Sequence, residues 1–245
     1  MKKKWPDAEG RRLYKDLQKR LYKKLLKTEN IKVNTVRKLL ALDVSYREGY
    51  AFVCGVLWDI PKACPLSIYI YSEKIQYPYI SGLFFVRELP PIVHLLKNIK
   101  VKYDILLLNA VGSAHPEGIG LATHAGLYIK KPSFGITERI PYGLYSNPDI
   151  KERTWTEIFD VKGSILGYVL RSQKYVKPIF VTPGFRLNAQ TALYITLLLP
   201  FNSRFPEPLR LADKCSKKKL EKEIKIRGCE DKTIYPIQYS PMSWK

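Results

Sequence analysis

The chain has 245 residues and a hydrophobic fraction of 46%, which allow one globular domain with terminal extensions and a core that needs neither disulfides nor metals. Its 42 Lys and Arg residues outnumber 22 Asp and Glu residues, and the net charge of +20 predicts an anionic partner: first a nucleic-acid backbone, second an anionic membrane surface. No apolar run reaches the roughly 18 residues that span a bilayer. No apolar stretch follows the basic N-terminus, so we expect neither a transmembrane segment nor a signal peptide.

Four leucines recur at every fourth residue near the N-terminus: Leu13, Leu17, Leu21 and Leu25. This spacing predicts an amphipathic helix with one apolar stripe. The surrounding residues 1–28 carry 11 Lys and Arg against 3 Asp and Glu, a net charge of +8. Apolar or alternating β-branched and aromatic residues then predict three strands. The predicted strands are Val36–Val44, Tyr50–Ile60 and Leu66–Ile75.

A loop rich in Pro and Gly follows at Pro78–Gly82, before a helix that starts over Leu83–Glu88. We expect Pro90 and Pro91 to kink or re-cap this helix before it continues over Ile92–Ile99. The short apolar run Asp104–Leu108 is typical of a central buried strand. The remaining predicted elements are a helix at Gly118–Ile129, strands at Ser133–Ile136, Ile165–Leu170 and Ile179–Thr182, and helices at Leu187–Leu199 and Arg204–Ile226.

This order of elements predicts an α/β fold. The central sheet is mixed, with an antiparallel meander first and parallel strands after it, and helices flank it. We divide the chain into a basic N-terminal helix (1–30), a core (31–200) and a basic helical extension packed on the same domain (201–245). Lys214–Arg227 carries seven basic and two acidic residues. The segments Pro148–Thr156 and Phe201–Pro208 are predicted surface connections.

The four cysteines show neither a CxxC pair nor a metal-ligand spacing with histidine. They are Cys54, Cys64, Cys215 and Cys229. Cys54 lies in an apolar run, which predicts a buried thiol. Because no signal peptide and no membrane span are predicted, we expect a soluble, cytoplasmic protein, and we expect it to be a monomer.

Three polar residues are candidates for chemistry. Asp43 ends the apolar first strand, Glu88 lies in a helix start that faces the sheet, and Asn109 follows the apolar run Asp104–Leu108, where active-site residues of open sheets collect. Metal-assisted phosphodiester cleavage needs two or three oxygen ligands of this kind. From position alone, each residue is explained as well by a cap or a turn.

The window Leu108–Arg139 reads LNAVGSAHPEGIGLATHAGLYIKKPSFGITER. It holds two of the three histidines of the chain, His115 and His124, among small residues that let the backbone approach a ligand closely. Two explanations remain open for these histidines. They act in catalysis, or they hold the loop by hydrogen bonds.

Four separated blocks, in the right order, resemble the endonuclease V family, nucleases that cut next to deaminated purines. The blocks are Leu42–Tyr46, Pro78–Gly82 followed by Arg87 and Glu88, Leu108–Arg139, and Thr182–Arg186. The resemblance runs from about Lys38 to about Leu199. It implies an RNase H-like fold, a role in repair of DNA or RNA containing hypoxanthine or inosine, and Mg²⁺ or Mn²⁺ as cofactor.

The resemblance also implies roles for single residues. Those implied to hold the metal are Asp43, Glu88 and Asn109. Those implied to complete the catalytic set are His115 and His124, and Glu138 is our own further candidate for that set. A wedge loop, which fills the gap left when the damaged base leaves its stack, matches Pro78, Tyr79 and Ile80. Walls of the base pocket match Phe84, Ala110, Gly112 and Gly120.

Among the departures from the family pattern, three affect the polar positions nearest the reaction. Asn109 stands in place of a catalytic Asp, Glu138 in place of a Lys, and Phe185 in place of a His. An amide oxygen brings no charge, so we expect the metal to bind more weakly. Three outcomes follow: cleavage is weakened or lost, Glu138 supplies the missing carboxylate, or Asp43 and Glu88 suffice alone. The first is our prediction.

We therefore predict an endonuclease V-like protein that binds nucleic acid and takes a deaminated purine by base flipping, with weakened or lost cleavage. One alternative is a fully active endonuclease that uses Asp43, Glu88 and possibly Glu138. A second is a non-catalytic module that binds nucleic acid or a ribonucleoprotein.

Overall fold

The computed structural model describes residues 8–25, 30–31, 33–80, 82–217, 226–229, 233–234 and 237–239. The α-helices of this part are α1 (Ala8–Leu25), α2 (Phe84–Asn98), α3 (Leu121–Ile129), α4 (Ala189–Leu198) and α5 (Glu207–Lys217). The first six strands are β1 (Lys38–Arg47), β2 (Tyr50–Asp59), β3 (Cys64–Lys74), β4 (Ile105–Leu108), β5 (Ser133–Thr137) and β6 (Leu144–Tyr145). The other six are β7 (Thr154–Phe159), β8 (Ile165–Arg171), β9 (Ile179–Pro183), β10 (Ile226–Arg227), β11 (Thr233–Ile234) and β12 (Ile237–Tyr239).

Ten of these strands form one mixed sheet in the order β12-β3-β2-β1-β4-β5-β9-β8-β7-β6. The strands β1, β2 and β3 form an antiparallel meander, and β4 and β5 continue the sheet in parallel from β1. The predicted α/β fold with a mixed sheet and an opening meander is thus confirmed. Beyond β5 the sheet returns to antiparallel pairing through β9, β8, β7 and β6.

Helices cover both faces of the sheet. Alternate residues of β1 point to opposite sides, since Leu39 and Ala41 join a core with α4 and α5, whereas Leu40 and Leu42 join a core with α2 and α3. The central strand β4 is apolar throughout and buried on both faces, as predicted for Asp104–Leu108. The result is a three-layer arrangement with the sheet in the middle.

The prediction that Asp43 ends the first strand is wrong. β1 continues to Arg47, because it pairs with β2 as far as Arg47 opposite Tyr50. Its other neighbour, β4, ends at Leu108 opposite Leu42. Asp43 is therefore the first residue of β1 beyond the parallel ladder, where the edge of the sheet opens.

The expected interruption at Pro90 and Pro91 is absent, because α2 is one helix that contains both prolines. Neither proline has an N–H to donate to the carbonyl four residues before it. Burial of the apolar face of α2 against the sheet offsets these two missing bonds. The continuous helix fixes Glu88 just over one turn from its first residue, Phe84.

The apolar stripe predicted for the N-terminal helix is only half buried. Leu13 and Leu17 are 65% and 45% exposed. Tyr14 packs edge-on against Phe85 with ring centres 6.0 Å apart, and Gln18 is fully buried. The helix is thus rotated by about one residue from the face that leucine spacing predicts.

Several predicted boundaries shift. The predicted helix at Gly118 starts at Leu121, and the predicted connection Pro148–Thr156 runs into β7. The predicted helix Arg204–Ile226 is observed over Glu207–Lys217, and residues 218–225 lie outside the described residues. Cys54 is a buried thiol, as predicted. None of the described helices is long and apolar enough to cross a membrane.

Candidate active site

Asp43 on β1 and Asn109, the residue directly after the neighbouring strand β4, lie side by side. The ladder between β1 and β4 extends by one bond, in which the Asn109 amide N–H donates to the Leu42 carbonyl at 3.1 Å. The Asn109 side chain follows, with Nδ2 donating to Asp43 Oδ1 at 2.8 Å. A carboxylate only accepts, so this contact fixes which end of the amide faces Asp43.

The other oxygen of Asp43 is held by α5. Ser216 Oγ donates to Asp43 Oδ2 at 2.6 Å. The end of α5 is tied to β1 as well, since the Ser45 hydroxyl donates to the Ser216 carbonyl and Arg47 Nη1 donates to the Lys217 carbonyl at 2.6 Å. Sequence reasoning missed Ser216 because it lies 173 residues from Asp43, in a lysine-rich segment without a motif.

Burial raises the pKa of Asp43 above its ordinary value, and the hydrogen bonds from Ser216 and Asn109 oppose part of that rise. An ion pair on α5 lies close by, with Lys217 Nζ 2.5 Å from Asp213 Oδ1. The charge of Asp213 raises the Asp43 pKa and that of Lys217 lowers it.

Glu88 is the second carboxyl group of the site and is 5% exposed. Burial, followed by the nearby charge of Asp43, raises its pKa to about 8. Arg87 opposes this effect in part, and its guanidinium lies 4.0 Å from the centre of the Tyr46 ring. A carboxyl group with this pKa holds its proton at neutral pH until a cation displaces it.

These donors fit a hard divalent cation only in part. Asp43 and Glu88 offer carboxylate oxygens and Asn109 an amide oxygen, which are the ligands that Mg²⁺ and Mn²⁺ prefer. The charge of Asp43 contributes to the raised pKa of Glu88, and a cation bound between the two carboxylates would relieve their repulsion. Within the described residues, however, no three His, Cys, Asp or Glu side chains converge as a metal-binding group. Among the described residues, the oxygen donor that accompanies the two carboxyl groups is the neutral amide of Asn109.

A cavity of about 440 Å³ opens beside Asn109. Its walls come from α1, the start of α2, the loop after β4, the start of α3 and the segment after β5. Six of the predicted site residues line it: Tyr79, Phe84, Asn109, Ala110, His115 and Gly120. The volume is in the range of small-ligand sites.

Two glycines shape the loop that walls this cavity. A Cβ on Gly112 would lie 2.0 Å from the Pro183 carbonyl oxygen, and one on Gly120 would lie 2.3 Å from the Val111 carbonyl oxygen. The Gly120 N–H donates to the Gly112 carbonyl at 2.7 Å. Gly112 thus holds the loop together and does not line the cavity itself.

The predicted wedge loop divides into exposed and buried parts. Tyr79 is 60% exposed and meets Phe84 edge-on with ring centres 5.8 Å apart. Pro78 is exposed too. Ile80 is buried among the residues beneath α2, so it anchors the loop. Ser81 lies outside the described residues.

The two predicted histidines occupy different surroundings. His115 lines the cavity, and its Nδ1 accepts from the Glu117 amide N–H at 3.2 Å, which puts the proton of the neutral ring on Nε2. His124 is buried behind the wall, stacked on Phe85 at 3.9 Å between ring centres. Burial lowers the His124 pKa to about 3, so this ring is neutral.

Gln18 of α1 is a second residue that sequence reasoning missed. It lines the cavity, and its Nε2 donates to the Ile119 carbonyl at 3.1 Å and lies 3.4 Å from His124 Nε2. Its Oε1 is buried and has no hydrogen-bond partner among the described residues. The only signal in the sequence is a polar residue one position from the leucine stripe.

Two further residues of the predicted site have partners of their own. Glu138 is 61% exposed and forms an ion pair with Arg204, at 3.1 Å between Oε1 and Nη1. Phe185 is buried against Gly126 of α3, and its N–H donates to Ser133 Oγ at 3.0 Å. Ser133 begins β5, whereas the cavity lies at the other end of that strand. Phe185 is therefore a core residue, not a substitution at the site.

The mixed sheet with helices on both faces, and two carboxyl groups at its open edge, define an RNase H-like α/β protein. The sequence matches the family model of endonuclease V over residues 19–214. The chain belongs to the endonuclease V family, whose members are metal-dependent nucleases.

Individual relatives agree with this assignment. Endonuclease V of Dictyoglomus thermophilum is 34% identical over 209 residues, which cover 85% of this chain and 90% of the relative. The Bacillus subtilis endonuclease V structure is 28% identical with a TM-score of 0.76, over 83% of this chain and 89% of the other. Endonuclease V of Ciona intestinalis, solved with a 24mer DNA containing an inosine followed by a ribo-adenosine, is 23% identical with a TM-score of 0.75, over 86% and 97%.

Proposed function

We propose that this chain binds nucleic acid containing inosine or hypoxanthine, takes the flipped base into the cavity of about 440 Å³, and cleaves the strand weakly because of Asn109. The exposed Tyr79 at the cavity rim supports the wedge role, because an aromatic ring can fill the gap that a flipped base leaves. The Ciona intestinalis relative solved with an inosine-containing DNA supports the substrate class.

The residues that would hold Mg²⁺ or Mn²⁺ are Asp43, Glu88 and Asn109. When bound, such an ion polarises the phosphate and lowers the pKa of its water. Asp43 and Glu88 supply the negative charge that attracts it, and Ser216 orients the Asp43 carboxylate. His115, neutral through burial, offers an Nε2–H donor in the cavity.

The observation that carries the proposal is the orientation of the Asn109 amide. Its Nδ2 donates to Asp43 Oδ1, so its oxygen points away from the carboxylate with which it would share an ion. Turning the amide over to offer that oxygen breaks a hydrogen bond to a charged group, worth about 1.5–3 kcal/mol. A carboxylate at this position would need no such rearrangement and would add a full charge.

The test compares the protein with its Asn109→Asp variant on inosine-containing DNA and RNA strands, with Mg²⁺ or Mn²⁺. We expect cleavage by the variant to be at least about tenfold faster, because one more charged ligand holds the ion. Asn98→Asp makes the same change at an exposed position at the end of α2 and should leave cleavage unchanged. Rates of the unmodified protein equal to those of Asn109→Asp would contradict weakened catalysis.

Full activity with Glu138 as replacement ligand is the competing function. The ion pair of Glu138 with Arg204 argues against it, because a ligand would have to leave that partner. Glu138→Ala should leave any residual cleavage unchanged, whereas loss of cleavage would support the competing function.

A further inference from the structure

A second and larger cleft, of about 640 Å³, lies beside the cavity. It is bounded by the segment after β5, the connection between β6 and β7, and the connection between β8 and β9. Arg139 lines both the cleft and the cavity, so the two are neighbours on one surface. A nucleotide next to a base in the cavity would therefore lie close to the cleft.

The cleft is strongly basic. Four lining side chains are cationic, Arg139, Arg171, Lys177 and Arg204, and one is acidic, Glu138, which pairs with Arg204. Among the ion pairs between described residues, none involves Arg139 or Lys177. Their charges therefore remain available to an anion.

Two arginines make the walls rigid. Arg171 donates to the carbonyls of Pro148, Asp149 and Val176, and Arg204 donates to those of Lys177 and Pro178. These bonds fix the backbone on both sides of the cleft and leave the positive charge in its wall. A rigid basic groove binds a flexible strand at a lower entropic cost than a mobile one.

Two tyrosines on the rim present exposed rings. Tyr175 is 73% exposed at a backbone φ of +62°, a left-handed conformation that is unusual for an aromatic residue. Lys174 Nζ lies 4.8 Å from the centre of its ring. Tyr145 is 47% exposed and braced edge-on by Phe180, with ring centres 4.9 Å apart. Exposed rings in a basic groove are the pattern of single-strand stacking platforms.

We propose that this cleft binds a nucleotide of the same strand that flanks the base in the cavity. A flanking base stacks on Tyr175 or Tyr145, and its phosphate contacts Lys177 and Arg139. The cleft would contact only the phosphate and the flat face of the base, which all nucleotides share, so the contact adds affinity without sequence preference. The inference rests on the proposed function and extends it to a second contact point on the strand.

The test measures Kd for two labelled single strands of equal length, one with a single inosine and one without, in EDTA so that nothing is cut. The cleft variants are Tyr175→Asn, which removes the ring but tolerates the left-handed backbone, Tyr145→Ala, and Lys177→Gln. Tyr175→Phe keeps the ring and should keep the affinity. Lys162→Gln, in the exposed β7–β8 turn, removes one charge away from the cleft and serves as the matched control.

We expect each cleft variant to weaken both strands by the same factor, about five- to tenfold, and to leave the ratio of the two affinities unchanged. Lys177→Gln should also reduce the slope of log Kd against log salt concentration by about one, whereas Lys162→Gln should not change this slope. Unchanged affinity in folded cleft variants, a loss no greater than that of Lys162→Gln, or a loss confined to the inosine strand would overturn the proposal. Equal binding of both strands by the unmodified protein would reject inosine recognition and still leave the cleft testable.

Discussion

At the residue scale, the geometry of the site depends on side-chain contacts that the charge and the sequence position of a residue do not predict. Asp43 and Glu88 were candidates from the sequence, because Asp43 is an acidic residue late in an apolar strand and Glu88 lies near a predicted helix start. Ser216, which holds one oxygen of Asp43, was not found, because a serine among lysines carries no local signal. The ion pair of Glu138 with Arg204 and the burial of Phe185 were not foreseen either, because alignment with a motif gives order along the chain and not the direction of a side chain in space.

The raised pKa of Glu88 lets us predict how the stability of the metal-free protein depends on pH. Its pKa is about 8 in the folded protein and near 4.5 in the unfolded chain, so between these values the folded state binds the proton more strongly. Stability therefore falls as pH rises from about 5 to 8. Thermal unfolding in EDTA should show this fall in the unmodified protein and a smaller one in Glu88→Gln. Equal slopes in the two proteins would rule out a raised Glu88 pKa.

We predict that Gln18→Leu changes the base preference of the protein but hardly changes its stability. Gln18→Leu removes the hydrogen bond to the Ile119 carbonyl in the cavity wall, and it also removes an oxygen that is buried without a partner. The two effects on folding oppose each other, so we expect a stability change within about 1 kcal/mol. The preference for inosine-containing over inosine-free strands should decrease in binding assays. A preserved preference would show that the cavity does not need this wall.

At the element scale, most helices and strands follow from periodicity, and their boundaries and faces follow from packing. The pattern of Leu187–Leu199 predicts α4, and alternation predicts β2 and β3, because both signals lie within neighbouring turns or pleats. The short strand β6, which is exposed, and the mostly half-buried β7 carry little such signal. The buried face of α1 was misread because Tyr14 and Gln18, and not Leu13 and Leu17, meet the core.

The orientation of α1 predicts an unequal response to substitution. Leu17→Gln should change the free energy of unfolding by no more than about 0.5 kcal/mol, because this side chain is already exposed. Tyr14→Ala should cost about 2 kcal/mol, because it removes the ring that packs on Phe85. Denaturant titration of both variants measures the difference. A greater loss from Leu17→Gln would mean that the helix packs on its leucine face.

At the scale of the whole molecule, a disulfide joins distant parts that the cysteine spacing does not connect. Cys64 at the start of β3 is bonded to Cys229, 165 residues away. The bond holds the C-terminal segment next to the strand with which β12 pairs. This pairing lies outside what the sequence predicts, because four cysteines without a motif allow several partners.

Closing a loop of this length is worth about 5 kcal/mol in the chain-entropy description of disulfides. We expect a reducing agent to lower the melting temperature of the unmodified protein and to have no further effect on Cys64→Ser. Scans with and without reductant, together with mass analysis of free thiols, measure this. An unmodified protein that melts at the same temperature in both conditions would contradict a stabilising role.

The sequence by itself determined the family, the mixed sheet with its opening meander, the basic surface and the two acidic residues of the site. Each of these is recorded locally, in motifs, in alternation and in composition. Only the tertiary structure decided that Asn109 turns its nitrogen to Asp43, that Ser216 closes the site from α5, that Glu138 pairs with Arg204, and that a basic aromatic cleft adjoins the cavity. These depend on side chains far apart in sequence meeting at one sheet edge, which is set by the packing of the whole chain.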